Sequence, residues 1–372
     1  MHYPRLEINL SKLTHNTRIL ATELGGMGIA VMGVNKVFNG CPETAEAMAS
    51  GGMEVIAETM VDNLKKLDGL PFQKAMLRTP GLSEAADVVR YADISLTGSV
   101  ESIAALSREA VLQHRQHQIM VMVDMGDLRE GIWYENLDEI EEALQLVISL
   151  PNLTLYGIGT NFGCYGTILA TPKNTREFAD LAKDMEQRLG VVFPYISGGN
   201  GSSYYLAAKG LLPKEINHLR IGGQHIFGIE YVEGRYLEGY SHSQKDIGLY
   251  LSDAYLLKGE VIEVRNKPTV PVGVLSVDAF MQQKTFEDRG IRRTAVLNFG
   301  RQEVPWENIH PMADSLFVMG QTSNHTIVDV DDSDAPVNVG DILTFQVDYT
   351  GLMHLCNSPS VEKVLDFSAV MR

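Results

Sequence analysis

Short runs of aliphatic and β-branched residues recur through about the first 220 positions with little polar alternation inside them. They are 29–34 (IAVMGV), 53–57 (MEVIA), 74–78 (KAMLR), 93–97 (DISLT), 119–124 (IMVMVD), 154–160 (TLYGIGT), 194–198 (PYISG) and 218–222 (HLRIG). Parallel strands covered on both faces read this way, because neither side of the pleat meets water. Between the runs lie stretches of helical spacing with start signals: Pro42 and Glu43, Ser83 and Glu84, Ser99, Asn136, and Pro172. Eight strands alternating with helices predict an α/β (β/α)8 barrel of the TIM type. An open doubly wound sheet rarely has eight equal units.

After about residue 245 the texture changes. Segments 254–264 (AYLLKGEVIEV), 269–275 (TVPVGVL), 293–299 (RTAVLNF), 326–330 (TIVDV) and 342–349 (ILTFQVDY) read as strands separated by turn signals such as Asn266-Lys267-Pro268. The expected organisation is an N-terminal strand within 1–10 that joins the later sheet, a barrel over 11–244, and a C-terminal all-β domain over 245–372.

Charge narrows the partners. The chain carries 31 Lys and Arg against 47 Asp and Glu, a formal net charge of −16. Such a surface repels phosphate backbones and anionic lipid, so nucleic acid and membrane are excluded as expected partners. Cys41, Cys164 and Cys356 are too few and scattered for a disulfide framework. The opening residues hold no leader-type apolar run, and no uninterrupted apolar stretch reaches membrane-spanning length. The expectation is a soluble, cytoplasmic protein.

In a (β/α)8 barrel, chemistry gathers at the carboxyl ends of the strands. Lys36 stands just past the first strand, where a partly enclosed amine serves as base or Schiff-base former; a plain loop lysine is the alternative. Strand five ends in VDMGDLREGIW, with Asp124 and Arg129 flanking glycines; an Asp–Arg salt bridge is the alternative there. Strand seven runs into Ser197-Gly198-Gly199-Asn200-Gly201-Ser202-Ser203, and strand eight into Arg220-Ile221-Gly222-Gly223. Glycine turns at helix starts offer open amides to an anion, and these two loops are where barrels most often hold phosphate. An amine at strand one and a phosphate cup at strands seven and eight, with Arg220 between, suit one ligand with a carbonyl and a phosphate. Pyridoxal 5'-phosphate is such a ligand.

RLEINLSKLTHN, VNKVFNG, VDMGDLREG, GTNFG, ISGGNGSS and LRIGGQHIFG, with VNVGDILTFQVDY in the tail, resemble in order the alanine racemase-like, fold-type III pyridoxal-phosphate enzymes. The likeness is greatest to the ornithine racemase-like branch. The resemblance implies that Lys36 is the Schiff-base lysine and one of two acid/base groups, and that Arg220 faces the pyridine nitrogen. It also implies that Arg129 lies near the phenolic oxygen and the substrate. Asn161 stands where the family has a histidine beside the ring. Asn200, Gly201, Ser202, Gly222 and Gly223 match the phosphate cup, and Tyr349 a tyrosine that closes over it.

Two departures stand out. Alanine racemases carry a lysine, often carbamylated, two positions before the strand-five aspartate, and this chain has Met122. Arg129 then needs another anion, with Asp124 or the substrate carboxylate as candidates. The partner-subunit tyrosine that acts as second base falls on Asp278, which is a candidate base, a binder of a cationic side chain, or a turn aspartate. Asn324 and His325 lie where other cross-subunit site residues are expected. The resemblance implies a homodimeric racemase acting on a small amino acid, with a basic one such as ornithine or lysine favoured over alanine or serine. Two rivals remain: a metal-assisted aldolase or dehydratase using His354 and Cys356, and a non-catalytic carrier of the cofactor.

Overall fold

A computed structural model describes residues 2–227, 231–232, 235–236, 254–281 and 283–368. These fall into two compact units, one of residues 10–236 and one of residues 2–9 with 254–368. The expected boundary near residue 245 lies outside the described residues.

The larger unit is a closed parallel barrel with helices between its strands. In chain order the strands are Ala30–Val34, Val55–Glu58, Gln73–Met76, Ile94–Thr97, His117–Asp124, Leu153–Gly159, Tyr195–Ser197 and His218–Ile221. Each pairs in parallel with its neighbours, and the last pairs with the first, Arg220 opposite Met32. Alternation decides where each side chain goes. Met32, Val34, Ala57, Leu96, Met120 and Met122 fill the barrel interior, whereas Ile119, Val121 and Val123 face the helix layer.

The helix starts follow local chemistry. Thr171 accepts the amide of Asn174 while the Asn174 side chain accepts the amide of Thr171, and Pro172 opens the helix Pro172–Leu189. The Ser99 hydroxyl accepts the Ser102 amide in the same role. Asn136 differs: its side chain turns outward to Glu139 and leaves the helix Leu137–Ser149 uncapped by it.

The smaller unit is a largely antiparallel eight-stranded sheet. Its long strand Tyr255–Pro268 pairs with Ile291–Leu297, Ile342–Val347 and the N-terminal strand Arg5–Asn9, which also runs parallel to Glu362–Asp366. Leu6, Ile8, Tyr255, Leu257, Phe299 and Phe345 form its centre, the two phenylalanines meeting edge to face at 5.9 Å.

Two expected strands change. Segment 269–275 is irregular beyond Thr269, because Pro271 has no amide to donate and Gly273 takes a φ of +132°. The strand expected to end at Tyr349 stops at Val347, and Asp348 caps a helix Tyr349–Asn357 by accepting the Gly351 amide at 2.8 Å. Among the described residues, no helix is long and apolar enough to cross a membrane.

Candidate active site

The first barrel strand delivers Lys36 into a short 3-10 turn, Lys36–Phe38. The residue before it, Asn35, is fully buried and fastened on every side. Its amide donates to Ala57 O at 2.9 Å, its Nδ2 donates to Glu58 at 3.0 Å, and its Oδ1 accepts the Thr44 hydroxyl at 2.8 Å. The turn is therefore rigid while the lysine side chain opens to solvent. Among the described residues the Lys36 amine has no ion-pair partner within bonding reach. Although much of the side chain is exposed, partial enclosure by the surrounding site lowers its ammonium pKa; Cys164 opposes that shift and Arg129 adds to it.

Glu58, at the carboxyl end of the second strand, is fully buried and accepts Nδ2 of Asn35 at 3.0 Å and of Asn63 at 3.1 Å. Burial outweighs these donors and pushes its pKa up to about 7. Its charge reaches Lys36.

The fifth strand ends in a loop that corrects one expectation. Asp124 does not pair with Arg129; its Oδ1 accepts the amides of Gly126 at 2.9 Å and Leu128 at 3.2 Å, holding the turn. Arg129 instead grips both carboxylate oxygens of Glu130 through Nε and Nη2, and its Nη1 donates to Cys164 Sγ at 2.9 Å. Burial pulls the Arg129 pKa down, but Glu130 and Cys164 lift it overall. Gly131 follows with a φ of +125°, and a Cβ there would meet the Asp124 nitrogen at 2.7 Å, so the loop turns here only with glycine. Met122 lies in the barrel's apolar interior, 1% exposed, and brings no charge to this loop.

Asn161 and Asn200 belong to one network. Asn161 donates to Asp127 at 3.3 Å and accepts Asn200 Nδ2 at 3.2 Å; Asn200 also donates to Phe162 O at 2.7 Å. The Asn200 Oδ1 accepts the Ser202 amide at 2.8 Å, so that amide is engaged within the turn. Among the described residues, the amides of Gly201, Gly222 and Gly223 donate to no backbone acceptor. Gln224 clasps Gly201 O at 2.7 Å, and a Cβ on Gly201 would lie 2.3 Å from the Gln224 side-chain oxygen. These two glycine turns are thus joined and retain open donors.

Arg220 is 4% exposed, and its guanidinium donates to Ser197 Oγ and Thr160 O, each at 2.6 Å. Burial, with help from Arg129, lowers its pKa to about 10, still a cation near neutral pH. Ser197 Oγ also bonds His218 Nδ1 at 2.8 Å, and burial holds that imidazole neutral with a pKa of about 3. The Ser197 hydroxyl thus links the buried arginine to the buried histidine.

Among the expected residues, Lys36 feels the charges of Arg129, Glu130 and Cys164, and Arg220 feels those of Arg129 and Glu130. Glu58, Glu130, Ser197 and His218 escaped sequence reasoning, although Glu58 ends a strand as Lys36 does and Glu130 adjoins Arg129.

The candidates in the smaller unit are described by themselves. Asp278 Oδ1 accepts the Phe280 amide at 2.8 Å, and its other oxygen lies 3.2 Å from Lys284 Nζ. Asn324 and His325 are exposed in a turn organised by the Thr322 hydroxyl. Tyr349 opens a helix instead of ending a strand. His354 and Cys356 sit two positions apart on that helix, which sends them to different faces, so they do not form a ligand pair. Among the described residues no three His, Cys, Asp or Glu side chains gather where they would hold a metal ion.

The model of the alanine racemase N-terminal domain matches residues 8–229. The chain belongs to the alanine racemase family. This amino-acid racemase is 35% identical over 365 residues to the ornithine racemase of Acetoanaerobium sticklandii, covering 98% of this chain and 99% of that one. It is 33% identical over 371 residues to the lysine racemase of Thermotoga maritima, again covering 98% and 99%. The fold of the racemase superposes on the alanine racemase of Bartonella henselae, solved with covalently bound pyridoxal phosphate. The TM-score is 0.70 at 13% identity, over 98% of this chain and 100% of that one. Pyridoxal phosphate is the cofactor of the family.

Proposed function

We propose that this racemase interconverts the two hands of a basic amino acid, ornithine or lysine, with pyridoxal phosphate held covalently by Lys36. The observation that carries the substrate reading is full-length likeness to an ornithine and a lysine racemase, at 35% and 33% identity.

The residues present fit the cofactor. Lys36 offers an amine of lowered pKa, the turns at Gly201 and at Gly222 and Gly223 offer open amides to a phosphate, and Arg220 offers a buried cation. When bound, the cofactor would supply an aldehyde for the substrate amine and an electron-withdrawing ring that eases loss of the α-proton. The chain's own groups do the rest. Lys36 takes or returns the α-proton on one face. The Arg220 guanidinium keeps its proton near neutral pH, so it would hold the cofactor's pyridine nitrogen as a hydrogen-bond donor without handing it a proton. Arg129 binds the substrate carboxylate. Asp278 is our candidate for the acid/base group on the opposite face, since two-sided proton transfer needs two groups.

A homodimer fits this reading, supported by exposed apolar side chains such as Val272 and Val274 in the smaller unit. Three cysteines with no disulfide among them suit a reducing, cytoplasmic setting. Incubating the protein with each hand of all common amino acids, followed by chiral chromatography, tests the proposal. Ornithine or lysine is expected to turn over fastest. Turnover of alanine or serine with no activity on either diamino acid would overturn it.

A further inference from the structure

Glu130 has a position that family membership does not explain. Its carboxylate is paired directly with the guanidinium of Arg129, and its charge is also felt at Lys36 and Arg220. Among the described residues its side chain bonds to Arg129, which it holds through both carboxylate oxygens. About a quarter of the Glu130 side chain (24%) remains open to solvent, so a ligand can reach it. Glu58, the other carboxylate that acts on Lys36, is fully buried and already accepts two asparagine amides, so it is closed to a ligand.

We propose that Glu130 determines substrate specificity by exchanging its Arg129 partner for the side-chain ammonium of an α,ω-diamino acid. This rests on the function proposed above and assigns its selectivity to one residue. The free site holds a cation and an anion bound to each other. A substrate carboxylate competes with Glu130 for Arg129, and an amino acid with an apolar side chain then leaves Glu130 without a counter-charge. A diamino acid brings both a carboxylate and an ammonium. It replaces each partner, and every charge is matched again. The loop geometry favours this exchange over a permanent internal pair, because Arg129 also keeps an Nη1 bond to Cys164 at 2.9 Å that steadies it when Glu130 lets go. Asp278, the sequence-based candidate for such recognition, is kept here for the acid/base role proposed above.

The test compares ornithine with 2-aminopentanoate, which is ornithine without its side-chain amine. The ratio of their kcat/KM values is measured for the cofactor-loaded wild type, Glu130→Gln and Glu130→Asp. A hydrogen bond between two charges predicts that the ratio falls about 10- to 100-fold in Glu130→Gln, chiefly through KM for ornithine, and less in Glu130→Asp. Equal losses on both substrates would mean that Glu130 only steadies Arg129, and would overturn the proposal. So would an unchanged ratio. If Glu130→Gln does not fold, Glu130→Asp carries the test, and an unchanged ratio there overturns the proposal. A second readout does not depend on turnover: after borohydride reduction of the loaded enzyme, 5-aminopentanoate, which keeps the carboxylate and side-chain amine of ornithine, should bind more weakly to Glu130→Gln than to wild type. Wild-type protein inactive on ornithine and lysine would refute the proposed function itself, whereas an active wild type with an unmoved ratio refutes only the role of Glu130.

Discussion

Glu58→Gln should change how the stability of the protein depends on pH. The Glu58 carboxyl is fully buried, and its pKa rises from an ordinary 4.5 to about 7 in the fold. A carboxyl whose folded pKa is raised binds a proton in the native state that the unfolded chain would release. Its stabilising contribution is complete below about pH 4.5 and is lost as the pH climbs through about 7. The shift is 7 − 4.5 = 2.5 pH units, worth about 3 kcal/mol over the whole window, and about 2.5 kcal/mol of it falls between about pH 5 and pH 8. A glutamine amide at this position cannot titrate, so the variant lacks this slope. It also faces a second amide donor, because Asn35 and Asn63 both point Nδ2 at this carboxyl. Asn35 cannot flip without losing the Thr44 hydroxyl bond. The assay is urea unfolding of cofactor-free wild type and variant at the two pH values. Wild type is expected to lose about 2–3 kcal/mol more than the variant on going from the acidic to the alkaline buffer. A wild-type-minus-variant difference that stays constant with pH would refute the reasoning.

Three further outcomes follow from the site. Lys36→Ala should abolish racemisation in both directions and remove the cofactor adduct seen by peptide mass after borohydride reduction; an adduct elsewhere in the chain would displace Lys36 from its role. Ser197→Ala strips one partner from each of two buried groups, Arg220 Nη1 and His218 Nδ1, and should cost about 1–3 kcal/mol in urea unfolding. Asp278→Asn should slow racemisation in at least one direction while the absorbance of bound cofactor persists, and equal wild-type rates both ways would remove Asp278 from the chemistry.

The barrel was legible because parallel strands buried on both faces are nearly continuous apolar runs, and all eight runs became strands. The smaller unit was less so. Segment 269–275 has the composition of a strand, yet Pro271 and Gly273 deny it a ladder, while the run ending in Tyr349 conceals a cap at Asp348 that begins a helix. In the site, Lys36, Arg220 and the glycine turns could be found from their places after the strands. The partner of Arg129 could not, because nearby Asp124 and adjacent Glu130 offer the same charge and only the backbone turn decides. Asp124 is consumed by two amides of its own loop, which leaves Glu130. Ser197 gave no signal, since a serine before a glycine turn is ordinary until a buried arginine and histidine converge on it.

Methionine at position 122 has a consequence for how the enzyme is made ready. A lysine there would need carbon dioxide from solution to become an anion, so the order of the arginine beside it would vary with dissolved gas and pH. Here the counter-ion is encoded one residue along the chain and arrives with translation. The loop is complete as soon as it folds, with no chemical maturation step between the ribosome and a charged, ordered arginine.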